Sequence, residues 1–408
     1  MDADEKSVLR DLARQYLAVC HDEIQDVRRD LWRRHNSLER TRPLVYVRAF
    51  AWQEMAESEC VCQDPFFRAY EDLFRRRLFW ASLDDDSVFE PWVSVDAVHV
   101  VPPEGPWGMS VQWIAGDHPR GAKRMRPPIV EPEDAARMAV PQHRIDEVET
   151  ARRADRLRDA IGDLITVHVE RAPFYRRWNG DISTQLAQLR GIDQLMMDMM
   201  IRPDWLHEVL ALMRDGILRA QDDAEVAGDW TLSAHENQAM PYALELADPM
   251  PGGEPVTRDR LWYFCASQET TLVGPEMFRE FMLEYQWPIM ERFGLLAYGC
   301  CEDLTLKLPF LKGIPNLRRI AVSPMANVAR CAEQIGADYV LSYRPSPSDM
   351  VGYDYDPERV DRILRRDLGA CDGCHVDITL KDVETVQGDP ARVRRWVGMA
   401  KRVIDDMR

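Results

Sequence analysis

The sequence predicts an α/β fold, a (β/α)8 TIM barrel at residues 43–408, with a helical extension at 1–42 and lid-like insertions near 102–141 and 230–259. Three observations predict it. Eight short apolar or β-branched runs recur along the chain, longer helical patterns separate them, and prolines stand where helices begin. Near-continuous apolar strands suit a sheet covered on both faces.

The opening stretch sets Val8, Leu9, Leu12, Ala13, Tyr16, Leu17 and Cys20 at spacings of three and four, the apolar face of a helix that caps the barrel or meets a partner. Strands are expected at 44–48, 93–101, 164–169, 261–267, 295–300, 319–323, 339–343 and 375–380. Helical patterns fill the intervals at 65–80, 148–161, 182–200, 203–221, 275–293, 304–311, 326–335 and 356–368, and a last helix covers 389–407. Pro275 and Pro357 occupy first helical positions, where a missing N–H does no harm. The rhythm breaks twice. One break holds eight prolines and an aromatic patch around Trp107 and Trp113; the other holds Pro241, Pro249, Pro251, Pro255 and the Gly252-Gly253 pair. Long irregular insertions in a compact barrel usually form lids or binding loops. There is no internal repeat and no low-complexity tract.

A chain of 408 residues with 46% hydrophobic and 30% charged residues buries a large core and is not disordered. Its formal net charge of -17 disfavours nucleic acid and anionic membranes as partners. The acidic start lacks the basic and apolar regions of a secretory signal, and no apolar run approaches the roughly 20 residues that span a bilayer. A cytoplasmic location is therefore expected, with the nine cysteines as reduced thiols. The segment Cys371-Asp372-Gly373-Cys374-His375 fits the haem-attachment pattern, but that chemistry follows export; here the segment reads as structural thiols leading into the eighth strand. Met196, Met197, Met199 and Met200 read as core filler.

Barrel enzymes place chemistry at the carboxyl ends of their strands. That rule selects Ser267, Gln268 and Glu269 after the fourth strand, Arg344 after the seventh, and Lys381 with Asp382 after the eighth. Glu269 suits metal ligation or general acid–base work, and the Arg344 fork suits a substrate carboxylate or phosphate. Lys381 and Asp382 read either as site groups or as an internal ion pair. In the second insertion, His235-Glu236-Asn237 suits a lid that reaches into a pocket, with Trp107, Trp113, Trp262 and Tyr242 available for apolar or cation–π contacts to substrate. Strand alternation lets only one of Cys300 and Cys301 face the barrel axis easily, and Glu302 and Asp303 read as caps of the following helix.

From about residue 261 onward the local words resemble the uroporphyrinogen decarboxylase and corrinoid methyltransferase superfamily. Ser267-Gln268-Glu269, followed by Gly274-Pro275-Glu276-Met277-Phe278-Arg279-Glu280-Phe281, resembles the family's fourth strand and the helix after it. Leu296-Ala297-Tyr298-Gly299-Cys300-Cys301-Glu302 resembles the fifth strand, which in the methyltransferases carries a His-x-Cys zinc motif. Ile314-Pro315-Asn316-Leu317-Arg318-Arg319-Ile320 and Ala321-Val322-Ser323-Pro324 resemble an unassigned bacterial decarboxylase-like subgroup. The likeness covers roughly 140 residues. Two departures stand out. Where the decarboxylases carry Arg-Gln-Ala-Gly-Arg after the first strand, Arg48 is followed by Ala49-Phe50-Ala51-Trp52; in the zinc motif Tyr298 replaces the histidine, and the eighth strand ends without a cysteine.

The resemblance implies a methyltransferase acting on a small methylated compound together with a separate corrinoid (cobalamin-type) protein. It implies zinc held by Cys300 and Cys301, with His235 and Glu269 as substitutes for the missing ligands. Glu269, Tyr298, Arg344 and Lys381 are then the expected catalytic residues, and Arg48, His235, Gln268 and Trp262 the expected substrate-binding ones. Two rivals stay open: a metal-independent decarboxylase of a small acid clamped by Arg48 and Arg344, and a noncatalytic small-molecule or corrinoid-binding protein. A homodimer is the base-rate expectation.

Overall fold

The computed structural model describes residues 3–116, 121 and 123–407. In chain order its strands are β1 Leu44–Val47, β2 Trp92–Asp96, β3 Gln112–Ile114, β4 Arg124–Arg126, β5 Thr166–Glu170, β6 Trp262–Cys265, β7 Leu295–Tyr298, β8 Leu317–Val322, β9 Val340–Tyr343 and β10 His375–Leu380. All eight expected strand positions form strands, and every one pairs in parallel. Six make one sheet in the order β1-β10-β9-β8-β7-β6, and β2 pairs with β5 in a second. The short antiparallel hairpin β3–β4 lies within the first insertion. β2 stops at Asp96 instead of running to residue 101, because the chain leaves the sheet there and bridges at His99 to Ile145.

Helices follow the strands closely to plan. Pro65–Ala81, Glu147–Ile161 and Pro357–Ala370 each begin behind an aspartate whose side chain accepts from the first free N–H groups. The long pattern at 182–200 breaks into Ile182–Arg190 and Ile192–Ile201 at Gly191. Of its methionines only Met199 is buried; Met197 and Met200 are exposed, so the core reading fails for half of the cluster. Among the described residues no helix is long and apolar enough to cross a membrane.

The opening helix Ala3–Cys20 buries Leu9, Leu12, Ala13 and Tyr16 against the helices Pro65–Ala81 and Glu147–Ile161, so its apolar face is already covered. A second helix, Ile24–Asn36, was not visible in the apolar periodicity, since its buried face is made of Gln25, Arg28, Trp32, His35 and Asn36. That polar face closes over the sheet. Three adjacent strands present Arg319, Ser342 and Asp377 on one face. Asp377 accepts from Ser342 Oγ at 2.9 Å and Thr379 Oγ1 at 3.0 Å and pairs with Arg319 Nη2 at 2.9 Å. His35 Nε2 stands 3.3 Å from the same carboxylate, and Asn36 Oδ1 accepts from Arg319 at 3.0 Å.

Residues 240–248 of the second insertion join this closure. Asn36 donates to the carbonyls of Met240 and Tyr242 at 2.9 and 2.8 Å, Arg33 pairs with Asp248, and Arg318, at the start of β8, reaches Glu245 at 2.7 Å. All of these contacts lie at the amino ends of the strands. The first insertion packs instead on helices: Trp107 donates to Gln185, Arg190 to the Ile129 carbonyl, and Trp205 to the Pro132 carbonyl.

Breaking a buried pair strands the remaining charge, at a cost of about 3–5 kcal/mol. Burial pushes the Asp377 carboxyl up, but Arg319, His35 and Ser342 together pull it down from 3.8 to about 2. Because the folded value lies below the unfolded one, the stabilisation is present above about pH 4 and is lost as pH falls toward 2. Urea unfolding of Asp377→Asn at pH 7 is expected to show a loss of about 3–5 kcal/mol, and a flatter acid limb than the parent.

Candidate active site at the strand carboxyl ends

Gly299 shapes the site. It adopts φ 98°, and a Cβ there would lie 2.7 Å from Leu304 Cδ1 and 3.1 Å from Ala321 Cβ, so only glycine fits the turn. Up to Tyr298 the residues of β7 alternate, Leu295 and Ala297 packing with Trp262 while Leu296 and Tyr298 join the helix-covered core. The turn resets that alternation. Cys300 comes to lie with Phe264 and Ala266, against Trp178, and Cys301 Sγ sits 3.7 Å from Cys300 Sγ. Strand parity alone would have sent the two thiols to opposite faces.

The dithiol meets a lysine. Lys381, at the end of β10, brings Nζ to 3.3 Å from Cys300 Sγ and 3.0 Å from Cys301 Sγ, with Asp382 Oδ2 at 2.7 Å on the same ammonium. Asp382 itself has φ 55°, a second strained turn beside the sulfurs. Arg344, at the end of β9, donates Nη1 to the carbonyls of Gly299 at 3.3 Å and Cys300 at 3.0 Å. A hydrogen bond from Cys301 does most to pull the Cys300 thiol below its ordinary value; burial opposes it, and the Arg344 and Lys381 charges add to it. Cys301, as the donor, is pushed up. The arrangement holds one thiolate under a cationic cover, which is what makes a cysteine nucleophilic.

Glu302 is no helix cap. Its buried carboxylate accepts from Ser267 N at 2.9 Å and Cys300 N at 2.7 Å, tying the ends of β6 and β7 together, and burial raises its pKa. Asp181 is a residue the sequence reading missed: it caps the helix Ile182–Arg190 and is buried, with Oδ2 lacking any partner. Burial and the nearby Glu269 and Glu302 push its carboxyl well above the usual range. Its only sequence signal is an ordinary capping aspartate before Ile182.

The expected residues divide by position. Cys300, Cys301, Lys381 and Arg344 come together. Glu269 accepts from Ser183 and Thr184 at 2.9 and 3.0 Å and from its neighbour Gln268 at 3.1 Å, so it anchors the helix Ile182–Arg190. Tyr298 is turned away beneath the helices, its hydroxyl held by Ser267 at 2.9 Å and Gln286 at 3.0 Å. Arg48 ends β1 and lines a cavity of about 460 Å³ with Trp52, Arg76, Arg77 and Trp80. Trp262 shares the inward face but begins β6, about 10 Å of strand away from its carboxyl end. His235 is placed at that same amino end: its Nδ1 accepts from Trp262 N at 3.1 Å and its Nε2 donates to the Ala247 carbonyl at 3.1 Å, and burial lowers its pKa to about 4. It is a neutral structural histidine, removed from the dithiol. Tyr242 and Trp107 are likewise buried in structural contacts, while Trp113 stands exposed on the β3–β4 hairpin.

A zinc site with one open position needs three protein ligands. Cys300 and Cys301 supply two, and among the described residues no group of three His, Cys, Asp or Glu is arranged to hold a metal ion. The Lys381 ammonium stands against both sulfurs instead. The donor set therefore does not fit the expected zinc.

No protein-family profile matches the chain, and no curated protein matches it. Among solved structures it matches a methyltransferase from Methanosarcina mazei, at a TM-score of 0.53 and 12% identity, over 92% of this chain and 98% of that one. The chain has a methyltransferase-like fold. The comparison covers both chains nearly end to end, so the likeness extends to the whole architecture and not only to the region of the dithiol.

Two measurements check the site. Iodoacetamide is expected to modify Cys300 at pH 7 about tenfold faster than an ordinary cysteine, with Lys381→Met slowing it and Cys300→Ala abolishing the fast phase, as followed by peptide mass mapping. The purified protein is expected to carry zinc well below stoichiometry, and Lys381→His, which adds a third donor, to gain it, as read by elemental analysis.

Proposed function

We propose that the two parallel sheets are parts of one (β/α)8 barrel over residues 43–408, and that the protein is a methyltransferase acting on a small methylated, anionic compound. One observation carries the reading: a thiol held beneath Lys381 and Arg344 at the strand carboxyl ends, in a methyltransferase-like fold. The Cys300 thiolate attacks the methyl carbon, so that a sulfur–carbon bond forms as the carbon–heteroatom bond breaks. Lys381 supplies the proton that the leaving heteroatom takes up, and Asp382 holds that ammonium in place. Arg48 and Arg344 attract the anionic part of the substrate. A corrinoid carried by a separate protein would supply the second methyl acceptor, and Cys300 is the residue that would hand the methyl group on to it.

The same cations favour a second reading, decarboxylation of a small acid without metal, since a carboxylate needs cationic clamps but no thiol. One assay separates the two. Supplied with cob(I)alamin and a panel of aryl methyl ethers, methylamines and methyl thioethers bearing a carboxylate, the protein is expected to form methylcobalamin, with at least about a hundredfold loss in Cys300→Ala. Release of carbon dioxide with full activity in Cys300→Ala would replace methyl transfer by the second reading.

A further inference from the structure

The dithiol carries chemistry beyond that of a single nucleophile. Cys300 Sγ and Cys301 Sγ stand 3.7 Å apart, the first residue buried and the second exposed, with Lys381 Nζ 3.3 Å from one sulfur and 3.0 Å from the other. A methyl acceptor needs one thiol, and the second sulfur has no part in that step. An oxidation that ends in a bridge needs both: a thiolate that attacks the oxidant, and a neighbouring thiol that resolves the oxidised sulfur. Redox-sensing cysteines have this form, a thiolate kept ionised by nearby cations beside a resolving partner.

The backbone lets the sulfurs close. Glu302 holds the Cys300 N–H at 2.7 Å and Arg344 holds its carbonyl at 3.0 Å, so Cys300 is the fixed half of the pair. Cys301 is the movable half. Its N–H and carbonyl meet no partner among the described residues, and its exposed side chain has only Asp382 Oδ2, at 3.8 Å, beside the neighbouring thiol and Lys381. A disulfide holds its sulfurs about 2.05 Å apart, so a swing of the Cys301 side chain by under about 2 Å makes the bond. Consecutive residues keep their Cα atoms about 3.8 Å apart, closer than the roughly 4.4–6.8 Å usual across a disulfide. Bridges outside that range are readily reduced, so this one reopens when thiols are supplied. The neighbouring strand offers no rival partner, because Cys265 at the end of β6 faces the helix-covered core with Tyr298.

We propose that Cys300 and Cys301 are a reversible redox couple, which a hydroperoxide converts to a vicinal disulfide. The Cys300 thiolate attacks one peroxide oxygen: a sulfur–oxygen bond forms as the oxygen–oxygen bond breaks, and the departing oxygen takes a proton from Lys381. Cys300 is thereby oxidised by two electrons to a sulfenic acid, and the peroxide is reduced to water or an alcohol. The Cys301 sulfur then attacks the Cys300 sulfur. The disulfide forms as the sulfur–oxygen bond breaks, the hydroxide leaves as water with the Cys301 proton, and Lys381 regains its own proton from solvent. The couple stands apart from the methyl-transfer reading; its consequence, an enzyme switched off until a thiol reduces it, rests on that reading.

The test treats the full chain at pH 7 with hydrogen peroxide and maps its peptides by mass spectrometry, before and after dithiothreitol. The wild-type peptide holding both cysteines is expected to lose two hydrogens, to resist iodoacetamide, and to recover both thiols on reduction. Cys301→Ser, a one-atom change in an exposed side chain, is expected to stop at a Cys300 sulfenic acid that dimedone traps. Lys381→Met is expected to oxidise at least about tenfold more slowly. Two free thiols after peroxide, an oxygen-bearing product that dithiothreitol does not reverse, or a bridge from either sulfur to another cysteine overturns the proposal. Loss of two hydrogens with undiminished methyl transfer by the bridged protein upholds the couple and removes the methyl-transfer reading instead.

Discussion

The Asp377 carboxylate holds this fold together at its charged centre. It sits on β10 beside Ser342 of β9, accepts from Ser342 and Thr379, and balances Arg319 of β8 in a region with no water-exposed surface. An ion pair so deep adds little net stability over apolar residues, but its geometry admits few alternatives. Arg319, Ser342 and Asp377 meet only in the observed register of β8, β9 and β10, and His35 and Asn36 fit only if the helix Ile24–Asn36 docks in one place. Through Asn36 the second insertion is fixed as well. One carboxylate thus organises the amino ends of the strands and leaves the carboxyl ends for chemistry.

At those opposite ends the backbone departs from regular geometry. Gly299 and Asp382 both take positive φ beside the sulfurs, and Ala51 does so at φ 50° after β1. Such conformations persist where packing over-determines them. Here Glu302 does so by gripping the N–H groups of Ser267 and Cys300, and Arg344 by gripping the carbonyls of Gly299 and Cys300. The dithiol loop is held by side chains on both its N–H and its carbonyl groups, which fixes Cys300 Sγ under Lys381.

How much of this was legible in the sequence depends on what each residue is for. All eight parallel strands were, because burial on both faces makes them apolar runs, and most helices were, because prolines and aspartates mark their starts. The helix Ile24–Asn36 was not, since apolar periodicity cannot report a helix whose buried face is Arg28, His35 and Asn36. The rule that chemistry sits after the strands selected Arg344 and Lys381, and the structure brings both against Cys300. Tyr298 and His235 were misplaced for different reasons. Tyr298 stands one residue before the turn that re-aims the chain, and a local word does not reveal that turn; His235 follows from the path of a long insertion, which no periodicity constrains. Glu302 looked like a helix cap because one of its N–H partners, Ser267, comes from the end of a different strand, which a local word does not reveal.

A lysine in place of a metal changes what the site demands of its surroundings. A zinc ion must be captured, and its ligands must all lose protons before it binds. An ammonium on a strand is already present, already charged, and fixed by Asp382 at 2.7 Å. Burial pulls the Lys381 pKa down and so does Arg344, but Cys300, Asp382 and Cys301 together raise it above its ordinary value, so the lysine and the thiolate keep each other ionised. Against a net charge of -17, the small cluster of cations at the strand ends is a place where an anion finds a favourable field.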